Sequence, residues 1–200
     1  GAIGAIEIYP ESNIASHWST PSGVSPERYV ELLKAAYTAI HSADPMVIVV
    51  GGSLAPTASN DGKNAIDDLL YYKQLYKAGG MKYMDVLGVR VDGHNNPPSD
   101  FVNVKSTSNA TYKNNSAFYF RHYEDVRAIM NENGDKDKKL WITSAGWASS
   151  NNKVEGKEFA VDVSEQEQAE YIVGALNQVG SQNYVSTFML NNFNYSTAAS

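Results

Sequence analysis

Five short apolar runs punctuate the chain: Ala5 to Tyr9, Val47 to Gly52, Val86 to Val91, Leu140 to Thr143 and Val185 to Leu190. Nearly unbroken runs of this kind mark strands buried on both faces, as in a parallel sheet covered by helices. Between the first two, Ser25-Pro26-Glu27 places an N-cap before a proline at the first helical position, and Tyr29, Leu32, Leu33, Ala36, Tyr37 and Ile40 follow at helical spacing. A second helix carries Ile66, Leu69, Leu70 and Leu75 before Gly79-Gly80, and a third carries Tyr119, Tyr123, Val126, Ile129 and Met130 before Gly134. In a fourth, Ser164 and Glu167 have the spacing of a capping box, with Ala169, Ile172, Val173 and Leu176 as the expected buried stripe.

Strand and helix thus alternate four times and end on a fifth strand. Such alternation implies right-handed crossovers in either an open doubly wound sheet or a closed eight-stranded barrel, and periodicity alone does not choose between them. The segments following the strands are long, polar and rich in Asn, Ser and Gly: 13–24, 55–63, 93–116 and 149–163. The return connection Ala43-Asp44-Pro45-Met46 is short. Long loops confined to the strand-to-helix side favour a barrel of TIM type, in which function sits on that side. One domain over residues 1–200 is expected, supplying about five strands and four helices of such a barrel.

Composition narrows the class. At 42% hydrophobic and 19% charged residues the chain is of ordinary globular composition, and no run approaches the roughly 18 apolar residues a membrane span requires. A net charge of -6 disfavours phosphate backbones, so neither nucleic acid nor membrane is expected as a partner. Cysteine is absent, which excludes disulfides, thiol catalysis and thiolate metal sites and leaves the compartment open. The first residues, Gly1-Ala2-Ile3-Gly4, lack the basic and apolar regions of a leader, so either a leader was removed or the chain has been cut.

Two strand ends, about 130 residues apart, carry candidate chemistry. Ile6-Glu7-Ile8-Tyr9-Pro10-Glu11-Ser12-Asn13 closes one strand with a carboxylate, and Leu140-Trp141-Ile142-Thr143-Ser144-Ala145-Gly146-Trp147 closes another with a hydroxyl. The first resembles the Trp-Asn-Glu-Pro-Asn element of clan A glycoside hydrolases, and the second their Thr-Glu-Phe-Gly-Trp element with Ser144 in the nucleophile's place. Val49 to Thr57, Asp85 to Val89 and Asn191-Asn192 resemble the fifth strand with its loop, the sixth strand and the end of the last strand. The resemblance covers essentially the whole chain as the fourth through eighth strands of the barrel. It implies Glu11 as acid/base, while Pro10, Arg90, Asp92, Ala145 and Asn191 depart from the residues such enzymes carry.

Retaining hydrolysis requires two carboxyls about 5 to 5.5 Å apart, and a serine hydroxyl cannot replace the nucleophilic one without an activating base. The resemblance therefore implies a glycoside-hydrolase-like scaffold with a remodelled site, diverged or engineered, in which Glu11 or Asp92 acts as general acid or base. Ser144 and His94 complete the candidate catalytic set, with Tyr9, Asn13, Trp18, Arg90, Trp147 and Asn191 as candidate ligand-binding residues. Each has a plainer reading: Glu11 as a solvated strand-end carboxylate, Ser144 as a space-filler, Arg90 and Asp92 as a structural ion pair, and His94 as a solvated loop residue. His17, His41 and His122 have no metal-ligand spacing, and the helix tyrosines read as packing. No cofactor or metal is expected. The expected ligand is a small molecule or carbohydrate. A non-catalytic sugar binder, a Ser144-dependent esterase and a weak inverting hydrolase remain alternatives. Five strands leave two unpaired edges, so a complementary barrel fragment or self-association is also expected. Asn109-Ala110-Thr111 matches the glycosylation pattern, which carries weight only in a secreted protein.

Overall fold

The computed structural model describes residues 3–102 and 112–191, so the Asn109 sequon and Asn192 lie outside the described residues. The elements run β1 (Ala5–Ile8), α1 (Pro26–Ala43), β2 (Ile48–Gly51), α2 (Asp68–Lys77), β3 (Val86–Asp92), α3 (His122–Glu132), β4 (Lys139–Gly146), α4 (Glu165–Gly180) and β5 (Val185–Leu190). Single 3-10 turns lie at Gly80–Tyr83, Ser116–Phe118 and Glu158–Asp162. The strands form one parallel sheet in the order β1-β2-β3-β4-β5. In β1 and β2, Ala5 pairs with Ile48 and Ile8 with Gly51. Each strand lies beside its successor in sequence, as in a singly wound barrel; a doubly wound sheet reverses its order midway. The chain is a partial parallel α/β barrel.

Local signals act where chemistry predicts. The Ser25 hydroxyl accepts from Arg28 N ahead of Pro26, and Ser164 with Glu167 forms a reciprocal capping box. Gly134 takes φ +76 just beyond α3, the left-handed conformation that ends a helix without a Cβ penalty. Two expectations shift. β4 continues past Thr143 to Gly146, which puts Ser144 inside the strand. α4 buries Ala175 and Val179 and leaves Val173 and Leu176 exposed. The close side of α4 is the one that carries Gly174, where an added Cβ would lie 2.9 Å from Pro98 Cγ, and that approach selects small residues over the larger apolar stripe.

Two compact units make up the chain, residues 1–90 with 124–141, and residues 91–123 with 142–200. In the first, Tyr29, Leu33, Val49, Tyr71, Tyr72, Leu75, Leu87 and Leu140 are fully buried. Its helix tyrosines do more than pack. The Tyr29 hydroxyl donates to Ile8 O at 2.7 Å and accepts from Gly52 N at 2.7 Å. Tyr72 does the same between Gly88 O and Leu54 N, at 3.0 and 3.2 Å. These hydroxyls bond backbone groups at the ends of β1 and β2 and, at Gly88, within β3. Gly52 has to be glycine there, since a Cβ would lie 2.6 Å from Tyr9 O and 2.7 Å from the Tyr29 hydroxyl. At the opposite ends of the strands, Asp85 accepts from Val49 N at 2.7 Å and contacts His41 Nε2 at 3.1 Å, which ties the end of α1 to β2 and β3.

The second unit is built on Phe120, Tyr123, Ile142, Ala145, Trp147, Ala160, Val163 and Ala175, all buried. Phe120 is at the centre of its rings, 5.4 Å from Tyr123, 5.5 Å from Trp147 and 6.1 Å from Phe188 between centroids.

Candidate functional site

The turn after β1 holds Tyr9 at φ +46 and Glu11 at φ +59, and the turn after β3 holds His94 at φ +50. Among the described residues these are the non-glycine residues with positive φ, and all three follow the C-terminal end of a strand. Such a conformation costs about 1 to 3 kcal/mol per residue and persists only where surrounding contacts impose it. For Glu11 those contacts include its amide donating to Ser53 O at 2.6 Å and its carbonyl accepting from Ile14 N at 3.2 Å.

In the first unit, the structure brings Tyr9, Glu11, Trp18 and Arg90 together and adds His17. Glu11 Oε1 pairs with the Arg90 guanidinium, and Oε2 lies 2.6 Å from His17 Nδ1. The Glu11 side chain is 14% exposed and that of His17 49%. Tyr9 is 45% exposed and donates its hydroxyl to His17 O at 2.6 Å. Its ring meets Trp18 edge-on at 5.1 Å, and Trp18 meets Tyr29 at 6.4 Å, so the aromatic wall beside Glu11 is anchored on the core. Tyr9, Pro10, Glu11, Ser16 and His17 line an open cleft of about 360 Å³. Sequence reasoning set His17 aside because it tested histidines against metal spacing. Six positions separate it from Glu11 in a loop, a separation with no fixed geometry. Asn13 proves to be a brace: its Nδ2 donates to Ala55 O and Ile66 O at 2.9 and 3.1 Å, and its Oδ1 accepts from Ala55 N at 2.9 Å. All of these are contacts with neighbouring loops, and the residue is fully buried.

Asp92, His94, Ser144, Trp147 and Asn191 belong to the second unit. His94 sits among Tyr112, Phe118 and Phe159, with ring centroids 5.0, 5.0 and 4.5 Å away. Burial there pushes its pKa below the usual histidine range, partly offset by the Asp92 carbonyl 3.3 Å from Nδ1. The loop beneath it is laced by Asn96, which donates to Tyr112 O and Phe118 O, both at 2.9 Å, and by Asn95, which donates to Asp162 at 3.0 Å. Trp147 is 4% exposed, with its indole N–H on Asn96 O at 2.8 Å and its ring against Phe120 and Tyr171, so its faces are occupied by packing. The Ser144 hydroxyl is shielded and has no hydrogen-bond partner among the described residues. A serine nucleophile needs a base within reach, and among the described residues none is recorded in contact with it. Asn191 donates its amide to Ala145 O at 2.8 Å and prolongs the pairing of β4 and β5. No cluster of three His, Cys, Asp or Glu side chains among the described residues could hold a metal ion, and no described helix is long and apolar enough to cross a membrane.

No protein-family model and no curated protein sequence matches the chain. Solved structures do match its fold, glycoside hydrolases among them. A glucosidase from Croceicoccus marinus aligns with TM-score 0.60 and 17% identity over 92% of this chain and 31% of its own. A family 39 glycoside hydrolase from Bacteroides cellulosilyticus aligns with TM-score 0.55 and 18% identity over 88% of this chain and 32% of its own. The endo-1,4-β-D-mannanase of Thermotoga petrophila gives TM-score 0.50 and 16% identity over 93% and 45%. The chain spans about a third of the length of the first two. At these identities the likeness is one of fold: the chain is similar to a portion of a glycoside hydrolase barrel.

Proposed function

We infer that the chain is a glycoside-hydrolase-like scaffold whose cleft around Glu11 takes a carbohydrate or an aryl-bearing small molecule, with a remodelled site that does not perform retaining hydrolysis. The observation that carries this reading is the Glu11 carboxylate itself, held in a left-handed turn at a strand end, in contact with the Arg90 guanidinium and the His17 imidazole and lining an open cleft. A motif position that the retaining mechanism requires as a carboxylate is Ser144 here, and a hydroxyl without a base neither attacks an anomeric carbon nor stabilises a cationic one. General acid–base chemistry centred on Glu11, or on Asp92 at the end of β3, is the activity these residues suit. A sugar ligand is suggested by analogy with the glucosidase and the mannanase. Departures concentrated at the motif positions suit a site that diverged or was engineered.

The second reading is a non-catalytic carbohydrate binder, favoured by the engagement of both Glu11 oxygens. Screening aryl glycosides, aryl esters and a base-sensitive aromatic probe against the protein and Glu11→Gln separates the two. Turnover that Glu11→Gln abolishes supports the first reading, and a soluble sugar that raises Tm without being cleaved supports the second. Turnover indifferent to Glu11→Gln overturns the assignment of Glu11. As a partner, a complementary barrel fragment or a second copy of the chain would cover Val173, Leu176, Met189 and Leu190, which α4 and β5 leave exposed. Sedimentation velocity tests this, and a monomer at all concentrations argues against a second copy.

A further inference from the structure

We propose that His17 is the residue that moves the proton in this cleft, that Glu11 is the carboxylate that positions it, and that the substrate class is a small activated aryl ester hydrolysed by water. The inference rests on reading the Glu11 cleft as the functional site. Both Glu11 oxygens are in contact with a nitrogen-bearing side chain, the Arg90 guanidinium at Oε1 and His17 Nδ1, 2.6 Å away, at Oε2. A carboxylic acid proton would need one of those oxygens, so proton transfer by Glu11 itself would give up one of these contacts, whereas transfer by His17 keeps both. So short an approach to a carboxylate oxygen favours the tautomer with its proton on Nδ1, which turns Nε2 away from Glu11 as the ring's acceptor, and no described residue is recorded in contact with it. The backbone that carries the ring is held on both sides: His17 N donates to Ile14 O at 3.1 Å, and the Tyr9 hydroxyl donates to His17 O at 2.6 Å. A carboxylate that sets the tautomer and direction of an imidazole is the arrangement that makes histidine an effective general base.

The charged and titratable groups facing His17 are Glu11, Arg90 through Glu11, and the Tyr9 hydroxyl at its carbonyl. A cleft of about 360 Å³ with Tyr9 and Pro10 as apolar walls has room for one aryl ring and a short acyl group. In the reaction, Nε2 takes a proton from water as the water oxygen bonds to the ester carbonyl carbon. The carbon–aryloxide bond then breaks, the aryloxide leaves with the electron pair, and the proton on Nε2 passes to it. Ester and water give acid and phenol, and Glu11 remains a carboxylate throughout.

The test is hydrolysis of p-nitrophenyl acetate by the protein and by His17→Asn, His17→Gln and Glu11→Gln. Asparagine keeps a donor near the position of Nδ1 and so preserves the contact to Glu11 while removing Nε2; it isolates proton transfer from structure. Both His17 variants are expected to lose on the order of 100-fold in kcat/KM with melting unchanged, together with the solvent deuterium isotope effect on kcat. Glu11→Gln is expected to lower kcat more than it raises KM. A rate that survives in His17→Asn, or no rate above buffer, overturns the proposal. If the His17 substitutions change nothing but Glu11→Gln abolishes turnover of another probe or sugar binding, only this proposal fails. If neither residue affects any ligand, the reading of the cleft fails with it.

Discussion

Gly93 and the indole of Trp147 share one space: a Cβ on Gly93 would overlap Trp147 Nε1, the atom that donates to Asn96 O. The turn after β3 and the residue following β4 are therefore fitted to one another at van der Waals contact, and the fit sets where Asn95 and Asn96 lie. Overfilling a packed site typically costs about 1 to 3 kcal/mol, and here it would also displace a buried hydrogen bond. Gly93→Ala is expected to lower stability by at least about 3 kcal/mol in urea denaturation. A loss below 1 kcal/mol would show that the indole can move aside.

Asn13 separates bracing from binding. Asn13→Ala removes three hydrogen bonds to Ala55 and Ile66 and leaves buried backbone groups unsatisfied, for an expected loss of about 2 to 4 kcal/mol. At a temperature where the variant remains folded, ligand affinity should be unchanged; weaker binding without loss of Tm would reverse the assignment.

Ser144→Ala should be neutral or slightly stabilising, within about 0.5 kcal/mol, because it removes a shielded hydroxyl that has no partner among the described residues. The variant should also hydrolyse aryl esters at the parent rate. Loss of a product burst in Ser144→Ala would instead make Ser144 the nucleophile.

His94 gives the protein an acid-side sensitivity. Its pKa in the fold lies below the usual value because burial among aromatic rings disfavours the imidazolium. A depressed folded-state pKa contributes stability that is present above the unfolded value near 6.5 and lost as pH falls through the folded one. His94→Asn tolerates the left-handed backbone and cannot titrate, so the decline in unfolding free energy from pH 7 to pH 5 should be shallower in that variant. Equal slopes would rule His94 out.

The tyrosines of the first unit act at the other end of the pH scale. Burial pushes the pKa values of Tyr29, Tyr71, Tyr72 and Tyr76 well above 10. Groups raised in the fold hold their protons where the unfolded chain releases them. Stability is complete below pH 10 and should fall above it by about 1.4 kcal/mol per pH unit per buried tyrosine. Tyr72→Phe should lose about 1 to 3 kcal/mol at pH 7, by stranding Leu54 N and Gly88 O, yet show a gentler alkaline slope. Alkaline melting curves of the two proteins check both halves.

Local rules carried the reading of the sequence furthest. Ser25 with Pro26, and Ser164 with Glu167, start their helices as written because capping depends on residues three apart in the chain. The five strands were legible from their apolar runs, while their order, which selects a barrel over a doubly wound sheet, depends on pairings the chain does not encode locally. At the site, Glu11 and Arg90 were legible as polar residues at strand ends. Their ion pair and its completion by His17 were not, since 79 positions separate the first two and an irregular loop the third. The contacts of Trp147 with Phe120 and Tyr171 were not legible for a similar reason, since these residues come from distant parts of the chain.

The left-handed backbone at Tyr9 and Glu11 sets a direction for any laboratory selection on this protein. Glycine at either would relax the backbone, so a screen for heat resistance alone should recover Tyr9→Gly or Glu11→Gly early and discard reactivity in the same step. Sequences descended under that pressure would keep the barrel and forget the cleft.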